Sequence, residues 1–234
     1  MDRTARRQVK AGADHLLAQL ATNAALTADQ VQRVRASVVV RDHGTGHHVC
    51  QRGACVDGWL GVVAGCVKIE NVSATGQVVT VTTFSPGCWF GEGSVLKEGV
   101  WPFDAVALTD SQVVLVPRAV FEWLLGTSFT FNRFLLDQLN ARLAQFVERC
   151  VYERLHDAEA HVVHGLVEMI DPRFYPHCQA SVAMSQESLG RMTGVSRSVV
   201  NRVLRRLQAA GIVRIDYRAI QVLDAEALRR FTAN

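Results

Sequence analysis

The chain has 234 residues, 49% of them apolar and 20% charged, with a formal net charge of +3. That is an ordinary globular composition with room for two modest domains. No apolar run approaches a membrane span, and Met1-Asp2-Arg3-Thr4-Ala5-Arg6-Arg7 is not followed by a signal-peptide core, so a cytoplasmic protein that meets no membrane is expected.

The first 35 residues read as helical, with Leu16, Leu17, Leu20, Val31 and Val34 at helical spacing. From Ser37 to about Glu122 the pattern becomes β. Short β-branched runs (Ser37–Arg41, Gly61–Asn71, Gln77–Phe84, Ser111–Pro117) are punctuated by glycines, which predicts a sandwich or barrel. Such an interior can hold one small ligand. Around Phe129 the period turns helical again. Leu136, Leu139, Leu143, Phe146 and Cys150 recur at alternating steps of three and four, the seam of a two-stranded coiled coil. A helix packed on its own domain is the alternative, but the polar flanks Arg142, Gln145, Glu148 and Arg149 favour a narrow dimer seam. A second helix is predicted from about Glu153 to Ile170, broken by Asp171-Pro172-Arg173-Phe174-Tyr175-Pro176. A short strand over Gln179–Met184 follows.

Ser185 then stands where an N-cap belongs, with Gln186 and Glu187 in the first turn and Leu189 and Met192 as the apolar face. Gly194 suits the left-handed residue of a tight helix–helix turn. Ser196 caps a second helix whose buried stripe is Val200, Val203, Leu204 and Leu207. Its other face carries Arg197, Ser198, Asn201, Arg202 and Arg205; with Ser185, Gln186 and Ser196 at the two helix starts, these are the side chains expected to reach base edges and phosphates in a major groove. A helical hairpin with a solvated arginine face would share this pattern. Two further features favour DNA. From Met184 to Arg218 seven arginines face two acids, a local net of +5 in a chain of +3. The segment from Gly211 to Val222 also alternates apolar and polar about a short turn, the wing of a winged helix-turn-helix.

Other chemistry is thinly represented. The six cysteines (50, 55, 66, 88, 150 and 178) form no Cys-x-x-Cys pair and are expected to be free thiols. Among eight histidines only His47-His48 and His161/His164 lie close. Neither pair has cysteine or carboxylate partners at ligand spacing, so no metal site is expected. No phosphate loop, nucleophile elbow or paired-carboxylate site is present, so an enzyme is not expected.

A glycine-punctuated β-roll, a long helix and a winged helix-turn-helix, in that order, resemble the catabolite activator/FNR (CRP/FNR) family of bacterial transcription regulators. The resemblance spans nearly the whole chain. Its most specific pieces are Phe90-Gly91-Glu92 with Gly87 before it, and Gly194-Val195-Ser196-Arg197 with Val200 and Arg202 after it. It implies an α+β protein: a cyclic-nucleotide-binding-like jelly roll in residues 1–127, a dimerisation helix in 128–152 and a DNA-binding domain in 153–234. It also implies a homodimer on an inverted-repeat operator in double-stranded DNA, with RNA polymerase as a further partner.

Departures from the family pattern carry information. In cyclic-nucleotide-binding members the glutamate takes a ribose hydroxyl, and an arginine followed by a hydroxyl residue takes the cyclic phosphate. Here Gly91 and Glu92 stand, but Phe103 and Asp104 occupy the later positions, within Trp101-Pro102-Phe103-Asp104-Ala105. Losing the guanidinium removes a charge-assisted contact, and Asp104 would repel a phosphate. Phe146-Val147 stands on the long helix where polar hydroxyls would meet the base. Cyclic AMP is therefore not the expected effector. The expected pocket is edged by Trp89, Gly91, Glu92, Ser94, Trp101, Phe103, Asp104, Arg142 and Phe146, and suits an uncharged or aromatic small molecule, or none. An iron–sulfur centre is not expected, because no cysteine precedes Cys50. Haem is not expected either, because Cys88 has no matching histidine. Ser198 replaces the glutamate that reads cytosine in family activators, and Asn201 favours adenine, so the half-site should differ there. A competing reading is a regulatory subunit whose C-terminal helices bind protein; a salt-dependent shift of DNA separates the two.

Overall fold

The computed structural model describes residues 3–73, 76, 78–97, 99–172, 181–182, 184–216 and 219–231. In chain order its elements begin with α1 (Arg3–Asn23), α2 (Ala28–Ser37), β1 (Val39–His43), β2 (His48–Cys50), β3 (Gly58–Ala64), β4 (Val67–Val72) and β5 (Val78–Phe84). There follow β6 (Trp89–Phe90), α3 (Glu92–Leu96), β7 (Asp104–Ala107), β8 (Ser111–Pro117), α4 (Arg118–Thr127) and α5 (Phe129–Leu155). The rest are α6 (Ala158–Met169), β9 (Ser181–Val182), α7 (Gln186–Thr193), α8 (Arg197–Ala209), β10 (Val213–Asp216), β11 (Ala219–Val222) and α9 (Ala225–Arg230). Two compact units result, Met1–Val67 with Phe84–Gln145, and Lys68–Thr83 with Phe146–Asn234.

The first unit is built on an antiparallel sheet in the order β1-β8-β3-β6. Ser111–Val116 of β8 is buried without interruption, because helices α1, α2 and α4 lie against this sheet. Trp59 of β3 anchors the core. It is fully buried, stacks on Trp89 at 4.2 Å, and meets the edges of Phe121 from α4 and Phe131 from α5 at 5.5 and 5.8 Å. Leu16, Leu17 and Leu20 bury one face of α1. Thr27 and Gln30 close a capping box at the start of α2. A second pairing, β2 with β7, carries a register shift between His48 and Cys50.

In the second unit β4 and β5 are neighbours, and α6, α7 and α8 pack together with α9 and the β9-β11-β10 sheet. Asp157 caps α6 by accepting from the Glu159 and Ala160 amides at 3.0 and 2.9 Å. Ser185 and Ser196 cap α7 and α8 through the Ser188 and Val199 amides, each cap contributing about 1 kcal/mol. Between those helices Gly194 adopts φ +70°, a left-handed turn that a β-carbon would strain.

Several boundaries differ from the sequence reading. Ser37 ends α2, because Thr27 caps that helix and its turns run on to Val38. The predicted strand Gly61–Asn71 is two strands, β3 and β4, broken where Gly65 takes φ +82°. The β pattern does not reach Glu122: the chain turns helical at Arg118, and Val120, Phe121 and Leu124 face inward at helical spacing. The helix predicted from Glu153 begins at Ala158, since α5 runs on to Leu155 and Asp157 supplies the cap. Of the strand Gln179–Met184, Ser181–Val182 pairs with β11, while residues 179, 180 and 183 lie outside the described residues. So do Cys178, Arg173 to Pro176, and Tyr217-Arg218.

Candidate nucleic-acid interface and effector site

Helix α8 is amphipathic in the sense a reading helix requires. Val200, Val203, Leu204 and Leu207 are each at most 1% exposed, whereas Arg197, Ser198, Arg202 and Arg205 are exposed. The wing strands β10 and β11 pair antiparallel from Val213↔Val222 to Asp216↔Ala219, with Ile220 and Val222 buried beneath them. Arg214 points outward and meets Asp216 at 3.4 Å.

The predicted DNA-facing side chains are not equally free. Ser196 and Ser198 hydroxyls lie 2.8 Å apart beside the cap. Asn201 is half-buried and donates to Gln186 Oε1 at 3.0 Å, so these two amides hold α8 to α7. Ser185 is occupied as the cap of α7. Arg202 donates from Nε to Glu159 Oε1 at 2.7 Å, and Arg206 pairs with Glu159 Oε2. Among the described residues Arg197 and Arg205 have no ion-pair partner. Nothing in the local sequence pattern singles out Glu159; its pairing with Arg202 spans 43 positions.

In the first unit Phe90-Gly91-Glu92 forms the turn from β6 into α3. Gly91 takes φ +89°, and a β-carbon there would stand 2.7 Å from the Trp101 ring. Glu92 is 2% exposed and pairs with Arg142 Nη1 at 2.9 Å. Arg142 also donates to the Trp89 carbonyl and lies 5.1 Å over the Phe84 ring. The other Glu92 oxygen, Oε2, is buried without a hydrogen-bond partner among the described residues. Trp101 is 1% exposed and 5.7 Å from Phe103, and Ser94 is buried.

Trp89, Gly91, Glu92, Trp101 and Arg142 thus join one packed assembly in which the aromatic rings are core. Asp104 is engaged elsewhere, accepting from the Arg52 amide at 2.9 Å and standing 3.7 Å from His48 Nε2. Phe146 is 39% exposed, with Arg149 over its ring at 5.7 Å. Burial raises the thiol pKa of Cys88, and that of Cys50 to about 12, which keeps both as neutral thiols. Among the described residues no group of three or more His, Cys, Asp or Glu could hold a metal ion. Of the His161/His164 pair, His164 has a packing role: Tyr152 is sandwiched between His156 and His164 at 4.0 and 4.1 Å, while the His161 ring lies 6.3 Å away and tilted.

Along α5, Phe131 and Leu135 are buried, but Leu136, Leu143, Val147, Val151 and Leu155 are 50–72% exposed. Cys150 is exposed and Leu139 half-buried. No described helix is long and apolar enough to cross a membrane.

Residues 40–128 match the cyclic nucleotide-binding domain and residues 160–231 the Crp-like helix-turn-helix domain. The Thermus thermophilus cyclic AMP receptor protein is 27% identical over 71% of this chain and 76% of its own length. A CRP-like cAMP-activated global transcriptional regulator of Mycobacterium tuberculosis is 24% identical over 81% of this chain and 86% of its own. The solved structure of FixK2 from Bradyrhizobium japonicum covers 84% of this chain and 98% of its own at a TM-score of 0.72 and 22% identity, a likeness of fold. With both domain types present in this order, the chain belongs to the CRP/FNR family and is a transcription regulator with a DNA-binding helix-turn-helix.

Proposed function

We propose that the protein works as a homodimer on an inverted-repeat operator, with α8 of each copy in a major groove. The observation that carries this reading is the face of α8, where Arg197, Ser198, Arg202 and Arg205 stand exposed opposite a fully buried stripe. Arginine's planar fork matches guanine's two acceptors, and Arg197 at the helix start is the leading base contact. Arg205 is assigned to phosphate.

Dimerisation is assigned to α5. A stripe holding Leu136, Leu143, Val147 and Val151, each at least half exposed in the single chain, is more apolar surface than a lone helix leaves to water. Leu139, Phe146 and Cys150 complete the seam. The division of labour follows: sensing in residues 1–127, dimerisation in 128–152 and DNA binding in 153–234. RNA polymerase as a partner and work in the cytoplasm rest on family membership alone.

The effector is not assigned to cyclic AMP. Arg142 already holds one oxygen of Glu92, Trp101 packs on Gly91, and no arginine stands at Phe103-Asp104 for a phosphate. The unpartnered Glu92 Oε2 suits a hydrogen-bond donor better than an anion. The reading is tested by selecting DNA fragments from a random pool with purified protein. Enrichment of an inverted repeat with half-sites one helical turn apart supports it, and enrichment of no sequence contradicts it.

A further inference from the structure

Glu159 lies in the first turn of α6, outside the helix-turn-helix, yet its carboxylate serves two arginines of the reading helix. Oε2 takes Arg206 Nη1 and Oε1 takes Arg202 Nε at 2.7 Å. The side chains differ in what else holds them. Arg206 is 38% exposed and also lies 5.6 Å over the Phe231 ring, so it is packed on two sides. Arg202 is 59% exposed.

The carboxylate is well placed for this work. It is only 19% exposed, its own amide is fixed to the Asp157 cap at 3.0 Å, and it sits at the positive end of a 12-residue helix. The contact to Arg202 goes through Nε. A guanidinium gripped there keeps its terminal nitrogens for a second planar partner, and loses the rotamer freedom that a long side chain otherwise gives up on binding.

From this geometry we infer that Glu159 is a specificity-determining positioning residue. It aims the Arg202 fork at a base edge and cancels one positive charge of the reading face. The inference rests on the reading of α8 as the DNA-contacting helix. A neutral side chain at 159 would free Arg202 to seek phosphates. That raises the sequence-independent part of binding and lowers discrimination. Charge and aim are separable: Glu159→Gln removes the charge, while Glu159→Asp keeps it but withdraws the carboxylate by one methylene.

The test measures affinity by fluorescence anisotropy across a salt series, for full-length wild type and variants. The probes are the selected operator, the operator substituted at single base pairs, and a random duplex. Circular dichroism melts check that each variant is folded. Arg202→Ala first identifies the base pair that Arg202 reads. Glu159→Gln is expected to lower discrimination at that pair about tenfold, within what one bidentate contact provides. It should also steepen the salt slope on random DNA by about one unit. Glu159→Asp should lose discrimination with the slope unchanged. In an Arg202→Ala background Glu159→Gln should change base preference no further. If Arg202→Ala flattens preference and Glu159→Gln does not, or if Glu159→Gln erodes preference equally at the Arg197 pair, the inference fails while the DNA reading stands. If Arg202→Ala leaves every base preference intact, the assignment of Arg202 itself is wrong and the role of Glu159 falls with it.

Discussion

Replacing Arg142 with methionine removes the ion pair at the heart of the first unit, together with the Arg142 donation to the Trp89 carbonyl. Glu92 is 3% exposed in its side chain and Arg142 25%, with the charged atoms 2.9 Å apart. At an effective dielectric of about 20 the gross attraction is about 6 kcal/mol, most of it offset by the desolvation of both groups. The cost of cutting the pair is larger than its net value, because the buried carboxylate is then left without a counter-charge. Removing one partner of a buried pair typically costs 3–5 kcal/mol. Arg142 is partly solvated, and methionine keeps the contact with the Phe84 ring, so the low end applies: about 3 kcal/mol, or roughly 10 °C in melting temperature. Pairing Arg142→Met with Glu92→Gln should recover much of the loss, since no uncompensated charge then remains. Melting followed by circular dichroism at pH 7.5 is the assay. An Arg142→Met protein that melts within 2 °C of wild type would refute the view that this pair organises the site.

Leu143→Asp should leave each chain folded, because Leu143 is 62% exposed in the single chain. It should weaken the dimer about a hundredfold by burying a charge in the seam; light scattering that finds it fully dimeric at low micromolar concentration removes α5 as the interface. Titration calorimetry with cyclic AMP should show no heat of binding, and micromolar affinity would overturn the reading of Phe103, Asp104 and the Glu92–Arg142 pair. Burial holds the pKa of His164 below its usual 6.5, so the native state favours the neutral ring. Its stabilising effect is present above about pH 6.5 and is lost as pH falls through the lower folded value. The melting-temperature advantage of wild type over His164→Gln should therefore shrink between pH 7.5 and 5, and a constant difference would count against a half-buried neutral His164.

The DNA-binding half was largely legible because its signals are local. Ser185, Gly194 and Ser196 mark helix ends by chemistry that acts within three residues, and both serines cap as their positions suggest. The Val200/Val203/Leu204/Leu207 stripe announces its burial by period alone. Strand β8 was likewise plain, as an unbroken apolar run between turn residues. What escaped was set at long range. Strands β2, β6 and β7 are two to four residues long and exist because neighbours pair with them. Helix α4 starts at Arg118, after a Pro117 that offers no side-chain cap, and its Val120-Phe121 pair imitates the β pattern before it. The pocket expectation put Asp104 beside Glu92, whereas Arg52 and His48 hold it. The pairs Glu92–Arg142 and Glu159–Arg202 join residues whose meeting depends on packing between elements, which residue type and spacing do not record.

In the proposed mode of binding, α8 reads bases through its exposed arginines. The most direct measurement compares wild type and Arg197→Ala on the selected operator, on operators substituted at each half-site position, and on random duplex at one salt concentration. Arg197→Ala is expected to lose roughly 1–3 kcal/mol on the operator and much less on random DNA, with preference flattened at one position in each half-site. Equal weakening on operator and random DNA, with every base preference intact, would contradict that mode of binding and leave Arg197 as a backbone contact.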